Sequence, residues 1–257
     1  MILVTNDDGV SSPGITALSQ SLIEAGHSIA VVAPSKERSG YGMAMTLHSP
    51  LEYVRTGTVQ YPEFSVNGTP ADCVILAVSH LFRGRIEAVV SGINAGINAG
   101  FGILFNSGTI SAALLAAMNG LPSIAFSQDV TPENASDAET YESGSKLAAR
   151  ITGEFIGSSK GSGTEMLNIN FPGNVSCDTP LVEVPFSRKP LYRRVVTQEL
   201  GSSDSGVVRI RAEMRKSFES GELDDISAVL GSKLVSITRI RLSSPEIDGL
   251  LRWEEIS

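Results

Sequence analysis

Two carboxylates, Asp7 and Asp8, stand side by side in MILVTNDDGV, directly after a run of apolar and β-favouring residues. Neighbours along a strand point to opposite faces, and adjacent acids at a strand end repel each other unless something positive lies nearby. Asn-Asp-Asp-Gly is also ordinary turn composition, so a wet turn is the plain alternative. Two further polar stretches could share chemistry with the acids: Pro34 through Gly42, which contains Ser39, and Ser91-Gly92-Ile93-Asn94-Ala95-Gly96. Together they offer carboxylates, hydroxyls, amide oxygens and glycines, with no His or Cys close by. Hard oxygen donors of this kind suit Mg²⁺, Mn²⁺ or Ca²⁺ rather than zinc or copper, and a divalent cation would offset the repulsion between Asp7 and Asp8. Asn106-Ser107-Gly108-Thr109 opens an apolar helical stretch. A helix N-terminus with free N–H groups is an anion site, although Ser107 also reads as a simple N-cap. A metal site beside an anion site suggests metal-assisted attack of water on a phosphate ester.

The elements that must position these residues alternate. ILVT (2–5) reads as a buried strand, and Pro13-Gly14 opens a helix on which Ile15, Leu18, Leu22 and Ile23 share a face before Gly26. HSIAVVAP is a second buried strand ended by Pro34, completing a β-α-β unit. TPADCVILAVSHLF predicts a helix with Thr69 as cap, Pro70 at its first position and Asp72 in its first turn. EAVVSGIN, LPSIAFSQ and EMLNINFPG read as strands, and residues 107–120 and 136–157 as helices, with SSKGSG a short connector. Alternating strand and helix predict an α/β fold: a Rossmann-like three-layer core with a mainly parallel sheet over about 1–175. The ligand edge of such a sheet lies beyond the carboxyl ends of its strands, where the three polar stretches fall. From 181 onward the pattern changes. LVEVPF, RRVVTQEL and GVVRIRAEM, separated by turn signals, read as antiparallel hairpins forming a C-terminal arm. ISAVLGSKLVSITRIRL follows as a turn and one more strand, and PEIDGLLRWEEI as a closing helix. The whole, 1–257, is expected to be a single α/β domain, with about 181–257 serving oligomerisation.

Composition narrows the function classes. The 257 residues carry 20 Lys and Arg against 28 Asp and Glu, a formal net charge of −8. Without a basic block, affinity for a nucleic-acid duplex through its phosphates is not expected. No apolar run approaches the roughly 18 residues of a membrane span, and the chain starts in a strand rather than a targeting segment. A cytoplasmic protein is the expectation. Cys73 and Cys177 are far apart and read as small buried apolar residues rather than a disulfide. His27, His48 and His80 are isolated and read as structural. Neither a Gly-x-Gly-x-x-Gly after the first strand nor a Walker A sequence is present, and Ser39 is not in a nucleophile elbow.

These residues fall into an ordered set of motifs: NDDGV with PGI (6–10, 13–15), VVAP with RSG (31–40), GTPADCV (68–74), VSGINAG (90–96), SGT (107–109), LNINFP (167–172) and DDISAVLGSKLVSIT (224–238). In them the sequence resembles the SurE (survival protein E) family of metal-dependent 5′/3′-nucleotidases over most of its length. The resemblance implies one divalent ion, Mg²⁺ or Mn²⁺, held by Asp7, Asp8, Ser39 and Asn94, with Asp7 and Asp8 carrying the catalysis. It implies phosphate contacts from Asn6, Asn98, Ser107, Gly108 and Thr109. The implied substrates are nucleoside monophosphates, with short polyphosphate for some members, and the implied assembly is a homodimer or homotetramer built through C-terminal elements. Three departures stand out. Asn106 replaces a usual Tyr before SGT, Leu114-Leu115-Ala116 replaces a stretch that usually carries an acid, and 183–222 matches poorly.

Two rival readings remain at this stage. An aspartyl-phosphate phosphatase usually places a second acid two residues after its nucleophile, where Asp7 is followed by Gly9. A metal- and nucleotide-binding module with little turnover would take up Mn²⁺ and nucleotide without releasing phosphate.

Overall fold

The first strand, β1 (Ile2–Thr5), is buried along its whole length and divides its side chains between two cores. Ile2 and Val4 join Ile15, Leu18 and Leu22 of α1 (Pro13–Glu24) on one face, whereas Leu3 faces the other. The next strand, β2 (Ile29–Pro34), repeats the split, with Ile29, Val31 and Ala33 on the first face and Ala30 and Val32 on the second. Such continuous apolar runs mark strands covered on both sides. The computed structural model describes residues 1–57, 60–158, 165–201, 205–214 and 222–242.

After β2 come two short strands, β3 (Tyr53–Arg55) and β4 (Glu63–Val66), in a stretch to which the sequence reading assigns no element. Both sit at the sheet margin, where β3 is wholly exposed and only Val66 of β4 is buried. Next is α2 (Pro70–Leu76), closed at its start by a capping box in which Thr69 and Asp72 satisfy each other's backbone N–H groups. The helix predicted through Phe82 stops earlier, giving way to a wider helical turn over Ala77–Leu81. Strand β5 (Ala88–Ala95), helix α3 (Gly108–Met118) and strand β6 (Ser123–Gln128) follow the expected order. Helix α4 (Glu142–Ser158) begins after a tight turn at Ala138–Tyr141, and β7 (Glu165–Phe171) completes the alternating part. Helices α1 and α4 pack on one side of the sheet, and α2 with α3 on the other, giving three layers.

The C-terminal part divides differently from the sequence expectation. Strand β8 (Leu181–Glu183) belongs to no hairpin; it lies parallel to β11 (Val235–Arg241), which pairs antiparallel with β7. The main sheet therefore extends well past residue 175. LVEVPF has strand composition, but partner choice depends on a segment fifty residues away, which local pattern does not reveal. A true hairpin forms between β9 (Tyr192–Gly201) and β10 (Gly206–Met214) as a separate two-stranded sheet. The closing helix expected over PEIDGLLRWEEI lies outside the described residues.

Sheet order is β3-β4-β2-β1-β5-β6-β7-β11-β8. From β4 through β7 every neighbouring pair is parallel. The chain builds outward from β1 through β2 to β4, then returns to place β5 on the opposite side of β1. The gap between β1 and β5 is thus a topological switch point, the crevice where open α/β sheets bind ligands. Asp7 and Asp8 follow one of these strands and Asn94 lies near the end of the other.

Candidate metal and phosphate site

The turn after β1 is tied by its own first residue. Asn6 Nδ2 donates to the Gly9 carbonyl at 2.9 Å and to Ser12 Oγ at 2.7 Å, while Gly9 N–H donates to Asn6 Oδ1 at 3.2 Å. Gly9 adopts φ +105°, a conformation that favours glycine. Asn6 thus spends both amide hydrogens shaping the turn rather than projecting them toward a ligand. The same turn anchors the Ser39 loop, because Arg38 N–H donates to the Asp7 carbonyl at 2.7 Å.

Asp7 is buried, and the Thr109 hydroxyl donates to its Oδ1. That hydroxyl also lies 3.1 Å from Asn94 Oδ1, so one side chain at the start of α3 links the acid turn to the end of β5. Asn94 Nδ2 donates to the Gly96 carbonyl at 2.6 Å, which fixes the amide so that its oxygen faces the Thr109 side. Asp8 Oδ2 accepts from Ala95 N–H at 3.1 Å. Gly108 packs directly on the acid: a Cβ there would meet Asp7 Cβ at 2.7 Å and Oδ2 at 2.9 Å. Ser107 acts as the N-cap, its Oγ accepting from Ile110 N–H at 3.1 Å.

Ser39 is exposed and donates its hydroxyl to Glu37 Oε1 at 3.0 Å. Both line a cleft of about 260 Å³ together with Asp8, Ser12, Ala95 and Tyr141. Burial, then the charge of Asp7, then that of Glu37 push the Asp8 carboxyl up to about 7. Asp7 is also raised, chiefly by burial, against the opposing hydrogen bond from Thr109. Among the described residues no cationic side chain forms an ion pair with either acid. The cluster is therefore short of positive charge. No group of three His, Cys, Asp or Glu side chains gathers as metal ligands among the described residues. A cation here would be held by two carboxylates with a hydroxyl and an amide oxygen, a donor set that fits a hard divalent ion.

The structure thus gathers Asp7, Asp8, Asn94, Gly108 and Thr109 at one point, with Ser39 on the rim of the cleft and Ser107 at the adjoining helix end. Asn98 sits apart in the wall: its Nδ2 donates to Ser127 Oγ at 2.8 Å, and its backbone is bonded to Asn168 and Asn170. Glu37 and Tyr141 were not singled out by sequence. Glu37 could have been, as an acid two residues before Ser39. Tyr141 could not, because its place depends on how the turn before α4 folds; its hydroxyl donates to the Ala135 carbonyl at 3.0 Å, and burial with the nearby Asp8 raises it to about 12.

The departures also acquire positions. Leu115 lies in the core between α2, α3 and the sheet, where an apolar residue packs without the cost of a buried charge. Asn106 is exposed and donates to the Gly102 carbonyl at 2.9 Å. None of the three histidines lines the cleft. His80 lies 3.4 Å from the Tyr53 hydroxyl, at the sheet margin. Cys73 is buried as expected, but Cys177 is exposed, in the loop between β7 and β8.

Comparison with known proteins identifies the family. Residues 2–190 match the family described as survival protein SurE. A 5′-nucleotidase SurE of Moorella thermoacetica is 37% identical over 245 residues, 94% of this chain and 90% of its own. One from Thermofilum pendens is 33% identical over 265 residues, covering 100% of this chain and 99% of its own. The crystal structure of the SurE protein from Aquifex aeolicus matches with a TM-score of 0.75 at 30% identity, over 99% of each chain. With the acid turn, the Ser39 loop, the end of β5 and the start of α3 assembled at one switch point, this chain belongs to the SurE family.

Proposed function

We infer that the chain is a 5′-nucleotidase, a phosphomonoesterase dependent on a divalent metal. We propose more specifically that one Mg²⁺ or Mn²⁺ serves it and that both 5′- and 3′-nucleoside monophosphates, with short polyphosphate, are substrates. The observation that carries this reading is the pair Asp7 and Asp8, the first buried and the second half-buried, at the switch point without a counter-cation among the described residues and beside a helix N-terminus.

In this proposal Asp7, Asp8, Ser39 and Asn94 hold the ion, which supplies positive charge for the developing phosphoryl charge and for lowering the pKa of water. The N–H groups at Gly108 and Thr109, with Ser107 setting the first turn, receive the phosphate oxygens. Asn6 and Asn98 contribute by shaping the turn and the loop around the phosphate. Asp8, which lines the open cleft, takes the proton of the attacking water. The water oxygen joins phosphorus, the ester P–O bond breaks, and the leaving oxygen gains a proton to give nucleoside and inorganic phosphate. Positioning and charge stabilisation supply most of the rate gain.

The assembly proposed is a homodimer or homotetramer joined through β9 and β10, whose Val196, Val207, Val208, Ile210 and Met214 are exposed. A two-stranded ribbon with apolar residues in water is marginal alone and gains by packing on a second copy. No helix among the described residues is long and apolar enough to cross a membrane; a cytoplasmic site of action is proposed.

The test is inorganic phosphate release from 5′-AMP and 3′-AMP with Mn²⁺, with Mg²⁺ and with EDTA. Release with metal and none with EDTA is expected; Mn²⁺ uptake without release from any nucleotide would overturn the catalytic reading. For the assembly, light scattering of Ile210→Glu against wild type should show a smaller particle.

A further inference from the structure

Two carboxamides, Asn168 and Asn170, lie wholly buried on β7, a strand paired on both sides. At spacing two they point to the same face, in a position where apolar residues are the ordinary occupants. Burying such groups is costly unless they are hydrogen-bonded, and both direct their bonds to one residue. Asn170 Oδ1 accepts from Asn98 N–H at 2.7 Å, and Asn170 Nδ2 donates to the Asn98 carbonyl at 3.2 Å. Asn168 Nδ2 donates to that same carbonyl at 2.9 Å, while its Oδ1 has no partner among the described residues. Asn168 thus contributes its donor alone to this contact.

Asn98 lies on the segment that leaves the end of β5 and returns at the start of α3, so Asn94 and Ser107 are its two ends. That segment has no strand or α-helix of its own between them, only a short turn at Phe101–Ile103. A second anchor follows two residues later: Gly100 N–H donates to Asp225 Oδ2 at 2.7 Å, and Phe101 N–H to the Ser187 carbonyl at 2.9 Å. The metal-binding floor is supported by β1, β5 and Thr109; it meets this segment only at its first two residues, through Ala95 N–H on Asp8 and the Gly96 carbonyl on Asn94 Nδ2, ahead of the bonds at Asn98.

We propose that Asn170, assisted by Asn168, is a positioning residue that holds the segment 98–107 and so fixes the phosphate-binding end relative to the metal-binding floor. The proposal rests on the phosphoesterase reading above and assigns the buried asparagines of LNINFP a part in it. Misplacement of a bound group by about 1 Å can cost on the order of 10²-fold in rate, so a loosened segment should be visible in substrate handling while metal uptake is spared.

The experiment compares wild type, Asn170→Ala and Asn168→Ala. Mn²⁺ affinity is measured by titration, inorganic phosphate affinity by calorimetry in saturating Mn²⁺, and KM and kcat with 5′-AMP. For Asn170→Ala the expected result is phosphate affinity and KM weakened about tenfold, with a smaller loss in kcat and Mn²⁺ affinity within about twofold of wild type. Asn168→Ala, which leaves the Asn98 carbonyl its second donor, should weaken both by about a third of that on a logarithmic scale. Should Asn170→Ala fail to fold, Asn168→Ala carries the test with the same readouts. Unchanged phosphate affinity with a lowered melting temperature would reduce the asparagines to packing and overturn the proposal. Parallel loss of Mn²⁺ affinity would overturn it too, by showing collapse of the whole site. Wild-type turnover reports separately on the catalytic reading, since phosphate affinity is read without turnover.

Discussion

Buried acids in this protein come in two kinds. Asp72 and Asp225 are each met by N–H groups from distant parts of the chain. Asp72 takes Thr46 N–H at 2.8 Å on Oδ1, and the Thr46 hydroxyl at 2.7 Å and Thr69 N–H at 2.9 Å on Oδ2. Asp225 takes Gly100 N–H on one oxygen and Ser187 N–H on the other, both at 2.7 Å. Asp7 and Asp8 also accept hydrogen bonds, from the Thr109 hydroxyl and Gly108 N–H on Asp7 and from Ala95 N–H on Asp8, but they stand beside each other and the charge of Asp7 raises the cost of charging Asp8. A carboxylate saturated by backbone donors closes loops onto the core. A pair left short of positive charge at a ligand crevice is organised for something that arrives from solution. The difference is in the neighbours and not in the residue type.

The hardest test of the contrast is Asp8→Asn. It removes a proposed ligand and one of two repelling charges at a partly open position. Turnover should fall by about 10²-fold or more, while the metal-free melting temperature stays level or rises. Wild type should gain about 2.7 kcal/mol of stability at Mn²⁺ a hundredfold above its dissociation constant, read as an upward shift in melting temperature that the variant lacks. A destabilised variant with normal metal response would place Asp8 among the clamps instead.

Gly108→Ala probes the same cluster through packing. The added methyl would meet Asp7 Cβ at 2.7 Å, an atom close to the backbone that cannot swing aside. Asp7 must be displaced to clear it, and a loss of about tenfold or more in kcat/KM is expected, with Mn²⁺ affinity reduced alongside. Wild-type kinetics would mean that Asp7 tolerates displacement and is not held to a metal.

Asp225→Asn addresses the other kind. An amide nitrogen would then face either Gly100 N–H or Ser187 N–H, and a loss of about 1–3 kcal/mol at neutral pH is expected by denaturant unfolding. Burial pushes the Asp225 carboxyl up to about 6, against the pull of its N–H donors. A raised folded pKa means that the group's contribution is fully present below the unfolded value near 3.8 and is lost as pH rises through about 6. Wild type should therefore lose up to about 3 kcal/mol relative to the variant between pH 4 and pH 7. A gap that widens with pH would show that the donors outweigh burial.

Much of the candidate site was legible because its parts are local. Strand–polar-turn patterns gave the ends of β1, β2 and β5, and their parallel pairing brings Asp7, Asp8 and Asn94 to one crevice without knowledge of any distant contact. Helix α2 was legible down to its cap, since Thr69, Pro70 and Asp72 form a self-contained signal. Three things were not. The pairing of β8 with β11, the bonds of Asn168 and Asn170 to Asn98, and the clamp of Asp225 on Gly100 all join residues more than fifty positions apart. The short marginal strands β3 and β4 also escaped notice, with too little buried surface to imprint a period. Asn6 shows the converse: its type suits a ligand contact, yet an internal turn bond uses its hydrogens.

The smallest expected effect belongs to Thr46→Val. It deletes the hydroxyl bond to Asp72 Oδ2 but leaves Thr46 N–H on Oδ1 and Thr69 N–H on Oδ2, so Asp72 keeps two of its three donors. One lost hydrogen bond of this kind costs about 1 kcal/mol or less. Thr46 closes the loop that begins at Pro34 and carries Ser39, and that loop is pinned independently where Arg38 N–H meets the Asp7 carbonyl. Redundant anchoring predicts a small fall in stability and no more than about a twofold change in Mn²⁺ affinity. A large loss of metal affinity from so distant a hydroxyl would mean that the Asp72 clamp and the acid pair are mechanically one unit, joined through the Ser39 loop, and the two kinds of buried acid would then have to be read as parts of a single device.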